Sequence, residues 1–242
     1  MSVWGSLLGG TAGYALGGPL GALLGAAAGH AIARAAFRKP DDDAADRQIA
    51  FTIATVALAA KMAKADGEVC AREKAAFARL FRFDETERRN VERVFDLATK
   101  STAGYEAYAR QVAGLFPKGA PALEELLDCL FHIAESNGEV TASETAYLAE
   151  VARIFGIDAR DFEALREAQR GADGADPWRV LGLSPDADED GARKVWRELV
   201  RTHHPDMLTG QGMPPEFVAL ANERLAVINA AWDRVRAIKG WK

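Results

Sequence analysis

Apolar and polar positions follow helical spacing along most of the chain. From Asp46 to Gln169 apolar residues recur every three or four positions, as in Ile49, Ile53, Val56, Ala57 and Ala60, and later in Leu123, Leu126, Leu127, Leu130, Phe131 and Ala134. That period gathers them on one side of an α-helix, and no two-residue alternation competes with it. Breaks at Asp66-Gly67, Phe83-Asp84, Ala103-Gly104, Pro117 to Pro121, Asn137-Gly138 and Gly156-Ile157 predict about seven helices with short connections. Two breaks echo each other, Asp66-Gly67-Glu68-Val69 leading to Glu73 and Asn137-Gly138-Glu139-Val140 leading to Glu144, their glycines 71 positions apart. Glycine can end one helix in the left-handed conformation, and Thr141 with Glu144 then makes a capping box for the next. Cys70 stands at the Thr141 position of the first copy, leaving that box incomplete. A cation held by Asp66, Glu68, Glu73, Glu139 and Glu144 is the rival reading. It lacks the alternating oxygen ligands of an EF-hand loop, so caps are favoured and no metal or cofactor is expected.

A polar, glycine-bearing linker at 171–175 precedes a second pattern. Asp176 is placed as a helix N-cap with Pro177 at the first helical position, opening a short helix that ends at Gly182. A second helix is expected from about Glu189 to His203 and a third from about Pro215 to Ile238. On the second, Arg193, Lys194, Arg197 and Arg201 share one arc of 100° while Ala192, Val195, Trp196 and Leu199 fall opposite, so one face packs and the other is cationic. On the third, Phe217, Ala221, Leu225, Ile228, Trp232 and Val235 form a stripe suited to antiparallel packing against the second. Between them lies Thr202-His203-His204-Pro205-Asp206. Proline disfavours helix in the residue before it, so His204 and Asp206 are expected in an exposed loop at the hairpin tip. Paired histidines without further His or Cys nearby make a poor metal site, and a His-Asp couple without a nucleophile makes a poor hydrolase.

The other end of the chain is different in kind. The first charged side chain is Arg34, so residues 2–33 are long enough for a transmembrane helix, which needs about 20 apolar residues. Arg34, Arg38 and Lys39 crowd its C-terminal flank, which by the positive-inside bias leaves the N-terminus outside and all that follows residue 40 in the cytosol. Glycines fall at Gly5, Gly9, Gly13, Gly17, Gly21, Gly25 and Gly29, an unbroken period of four. Such a stripe winds around a helix and lets a partner backbone approach closely, so pairing of two copies in the membrane is expected. Gly18-Pro19 leaves open a re-entrant hairpin of two short helices.

Composition narrows the classes. With 242 residues, 49% hydrophobic and 27% charged, the chain can build a core and is not disordered. The net charge of −5 argues against nucleic acid as partner. Cys70 and Cys129 alone cannot make a disulfide scaffold, a CxxC pair or a cysteine zinc site, which fits a reducing cytosolic face. The charge is also divided: residues 1–40 carry +3, residues 41–175 hold 25 acids against 17 bases, and residues 176–242 hold ten of each. The reading is therefore all-α, with an anchor over 1–40, a helical domain over 41–170, a linker over 171–175 and a terminal hairpin over 176–242.

The stretch Met62-Ala63-Lys64-Ala65-Asp66-Gly67-Glu68-Val69 in its helical setting resembles the tellurite-resistance TerB-like domain, which implies a binding or scaffolding module. Asp176-Pro177-Trp178-Arg179-Val180-Leu181-Gly182-Leu183, the basic helix, His204-Pro205-Asp206 and Ile228-Asn229-Ala230-Ala231-Trp232 together resemble a J-domain, the module of DnaJ or Hsp40 co-chaperones. Trp178 and Trp232 stand where that family usually has tyrosine, and Met207 replaces a frequent lysine. The order of parts resembles the membrane-anchored DjlA type of co-chaperone, without a Gly/Phe-rich linker or CxxC repeats. What the resemblance implies is an inner-membrane protein, not itself an enzyme, whose J-domain binds Hsp70 (DnaK). In that family His204, Pro205 and Asp206 trigger ATP hydrolysis on Hsp70, and Arg193, Lys194, Arg197 and Arg201 dock on it, while the middle domain selects the place or the client. The rival from another class is a structural adaptor or metal-responsive stress sensor centred on the TerB-like domain, with a degenerate J-domain.

Overall fold

The computed structural model describes residues 44–65, 85–100, 104–114, 116–117, 119–135, 138–210 and 215–241, and within them every regular element is helical. The glycine stripe, the anchor, the Asp66-Gly67 break, Glu68, Cys70 and Glu73 lie outside the described residues. Among the described residues no helix is long and apolar enough to cross a membrane.

The middle of the chain is built around α1 (Ala44–Ala65). Every residue from Ala54 to Ala63 is buried, so this helix runs through the interior with neighbours on all sides. Its two polar members there are accommodated: the Thr55 hydroxyl donates to the Phe51 carbonyl at 3.0 Å, and the Lys61 ammonium lies 5.5 Å from the centre of the Tyr108 ring. Around it pack α2 (Glu85–Lys100), α3 (Tyr105–Ala113), α4 (Pro121–Glu135) and α5 (Ala142–Phe155). The buried Tyr147 hydroxyl of α5 donates to the Leu58 carbonyl at 2.8 Å, satisfying a polar atom inside the core.

Local sequence signals account for the helix ends. The Thr141 hydroxyl accepts from the Glu144 amide at 3.1 Å while the Glu144 carboxylate accepts from the Thr141 amide at 2.8 Å, the expected capping box. Glu144 is thereby committed to a helix terminus. Gly156 ends α5 with φ of 78°, and the Ile157 amide then donates to the Ala152 carbonyl at 3.0 Å, an arrangement that a side chain at position 156 would strain.

After α6 (Ala159–Ala168), the stretch read as a linker forms a helical turn, α7 (Gly171–Gly174), which packs on the last helix. The Arg234 guanidinium donates to the Ala172 and Ala175 carbonyls at 3.0 and 2.7 Å, which fixes the turn. Then come α8 (Pro177–Val180), α9 (Glu189–Thr202), α10 (Pro205–Gly210) and α11 (Pro215–Lys239). The Asp176 carboxylate accepts from the Trp178 amide at 2.9 Å with Pro177 at the first helical position, as the sequence requires.

One expectation is corrected. The apolar stripe of α11 serves two cores. Ile228, Trp232 and Val235 pack with Val180, Leu181 and Ala192 of the hairpin, but Phe217, Leu220 and Ala221 join the core of the middle bundle, together with Leu208 of α10. The Phe217 ring meets Phe51 of α1 edge to face, centroids 4.5 Å apart. At 25 residues α11 is about 37 Å long, far more than the 14-residue α9 can cover, so its first turns seek another partner.

Candidate functional site

The hairpin of α9 and α11 presents two features, one along α9 and one at its end. The first is the cationic arc. Asp188 caps α9 by accepting from the Gly191 amide at 2.7 Å, and Ala192 is fully buried, which turns the opposite side outward. Arg193, Lys194, Arg197 and Arg201 line one open groove of about 330 Å³, with Asp190 and Glu198 at its edges. Arg193 pairs with Glu189 and Arg201 with Glu198 along the same helix, so the arc is cationic but partly neutralised. Beneath it the Trp196 and Trp232 rings stack, centroids 5.1 Å apart and 8° from parallel, and the Trp196 indole donates to Asn229 Oδ1 at 3.0 Å. These contacts fix the angle between the helices and hold the arc in place.

The second feature is the tip. The expected loop is shorter than the sequence suggests: only His203 and His204 separate two helices, because Pro205, with its preset φ, opens α10. Asp206 therefore sits in a first helical turn. Its side chain is 92% exposed and that of His204 48% exposed, so both face outward as expected. The Asp206 amide donates to His204 Nδ1 at 3.2 Å, which orients the imidazole. Met207, 50% exposed, lies beside them, and Leu208 is buried and pins the turn from below.

Sequence reasoning missed what lies on the inner side of this tip. His203 is 2% exposed, its Nδ1 3.0 Å from Glu125 Oε1 and its Nε2 3.6 Å from Glu124 Oε2. Arg224 of α11 donates to Glu125 Oε1 at 3.2 Å and to Glu124 Oε2 at 3.0 Å. Asp128, one turn further along α4, accepts from Gln169 at 2.6 Å. Burial drives the His203 pKa down to about 3, with the Arg224 charge adding to the effect, so the imidazole is neutral, and its Nδ1 shares a hydrogen bond with Glu125 Oε1. Burial raises Glu125 and Asp128 above the usual carboxylate range, against the pull of Arg224. Burial opposes the charge on Arg224 too, but Glu125, Glu124 and Asp128 more than offset this and hold its pKa above the ordinary value. The signal for this cluster was visible only as Glu124, Glu125 and Asp128 set among the apolar residues of α4 and an arginine beside the α11 stripe.

Comparison with known proteins places these parts. A family profile described as tellurite resistance protein TerB matches residues 52–167, the middle bundle, and one described as the co-chaperone DjlA transmembrane domain matches residues 1–41. The chain is 28% identical to co-chaperone protein DjlA of Photobacterium profundum, over 99% of this chain and all of that one. It is 29% identical to the DjlA of Vibrio parahaemolyticus over 82% of this chain and 81% of the relative, and 37% identical to that of Haemophilus influenzae over 67 residues, 28% and 23% of the two chains. No solved structure matches. A TerB-type helical bundle behind a DjlA-type membrane segment defines the class, a membrane-anchored co-chaperone. The chain belongs to the DjlA co-chaperone family.

Proposed function

We propose that the chain is a J-domain co-chaperone of the inner membrane, one that binds Hsp70 (DnaK) and stimulates its ATP hydrolysis without itself making or breaking a covalent bond. The observation that carries this reading is the joint exposure of His204 and Asp206 at a tip fixed by Pro205, next to the groove of four basic side chains on α9. The basic arc steers and docks an acidic surface of the partner, and the tip acts where docking brings it. Residues 1–40 anchor the protein with its N-terminus outside and the helical domains in the cytosol, and the middle bundle selects place or client. Anchoring raises the effective concentration of the tip near membrane-bound clients.

Asp206→Asn tests this. The side chain has little packing to lose, so the variant should keep the parent's melting transition and lose Hsp70 ATPase stimulation by about 10- to 100-fold, the range for removing a charged contact worth about 1.5 to 3 kcal/mol. Equal stimulation by variant and parent would return the rival reading, an adaptor with a degenerate J-domain.

A further inference from the structure

We propose that Glu124 and Glu125 of the middle bundle, acting through Arg224 and His203, are positioning residues for the His204–Asp206 tip, so that the TerB-type bundle is a working part of the Hsp70-facing surface. The inference rests on the J-domain reading above and adds to it the element that aims the tip.

The geometry is that of a clamp across two units. Arg224 reaches from α11 to two carboxylates on consecutive residues of α4, and its side chain is 8% exposed. His203, the residue immediately before the tip, closes the same cluster from the end of α9. One guanidinium thus ties α11 to α4, and one imidazole ties the end of α9 to the same carboxylate, so that His204 leaves a residue whose side chain is already fixed. The apolar contacts nearby, Phe217 on Phe51 and Leu208 in the bundle core, keep the two units together but are non-directional. Direction comes from the clamp. Glu125 Oε2 and Asp128 Oδ2 are buried without a hydrogen-bond partner, so the site already carries more acceptors than donors and tolerates no loss of Arg224. A buried ionic cluster of this kind contributes little net stability against an apolar replacement, and its attested use is to select one packing over others.

The test uses the full chain in lipid vesicles with Hsp70 and ATP. Glu125→Gln keeps the shape and removes the charge. Arg224→Lys keeps the charge and removes the fork that spans both carboxylates. Both should melt cooperatively, and both should lower the maximal stimulated ATPase rate about three- to thirtyfold, the usual reach of coupling through packed elements. The half-saturating concentration should stay within about twofold of the parent, because the arc on α9 is untouched. Spin labels at Ala146 of α5 and Thr209 of α10, both exposed, in a Cys70→Ser background with Cys129 buried, should give one narrow distance in the parent and a broadened one in each variant. Parental maximal rates, or unchanged distances alongside a raised half-saturating concentration, would overturn the clamp. A parent that fails to stimulate Hsp70 removes the J-domain reading instead, while the distances still decide whether the cluster sets the tip.

Discussion

His203 and His204 are neighbours in the chain and opposites in chemistry, since the end of α9 turns one ring into a carboxylate cluster and the other into solvent. The buried ring has a measurable signature. His203 takes up its proton only near pH 3 in the folded chain against an ordinary 6.5, so between these values the unfolded chain binds more protons. Stability contributed by the neutral ring is complete above pH 6.5 and falls as pH drops, by at most about 1.4 kcal/mol per pH unit. Glu125 and Asp128, raised by burial, act with the opposite sign as pH rises through their ordinary range, and Glu124, His132 and Arg224 complete the charged surroundings. Urea titrations of His203→Gln should therefore show a smaller loss on going from pH 6.5 to 4.5 than the parent. An equal loss would mean that the imidazole is not held neutral. On the outer face, reversing the charges of Arg197 and Arg201 should slow association with Hsp70 about tenfold at low salt, and added salt should mimic the change in the parent. Association of the parent that ignores salt would reduce the arc to a solvated face.

At the scale of elements, what the sequence made legible is what depends on neighbours in the chain. The capping box of Thr141 and Glu144, the Asp176-Pro177 start, the left-handed Gly156 and the limits of α9 and α11 all follow from residues within a turn or two of one another. The tip was legible in composition and exposure, though not in shape, because a proline that ends one helix can equally begin the next. Long-range partners were not legible. Phe217 belongs to the α11 stripe by spacing, yet nothing in its register says that Phe51, not the hairpin, covers it. Glu125 reads as a solvated acid until the end of α9 and α11 bring His203 and Arg224 to it, and Arg224 reads as a polar residue beside a stripe until its two carboxylates are in view.

For the whole molecule the anchor and the tip pose separate questions. If the glycine stripe pairs two copies in the membrane, Gly13→Leu or Gly17→Leu should lower the crosslinked dimer about tenfold while insertion is retained, because leucine is more apolar than glycine but holds backbones apart, and a packing loss of about 1 to 2 kcal/mol is enough. Gly10→Leu, off the period of four, is the control. Fractionation and crosslinking of the full chain read both outcomes: an equal loss from Gly10→Leu removes the stripe argument.

The division of α11 between two cores also bears on how this chain can change over generations. Residues 176–242, transplanted alone into another gene, would bring Leu208, Phe217 and Leu220 without the bundle that covers them, and Arg224 without its acids. The terminal unit is in this sense not a cassette. A larger side chain at Phe51 has to be answered at Phe217, 166 positions away, so drift in the middle bundle and drift in the hairpin are bound to a common history.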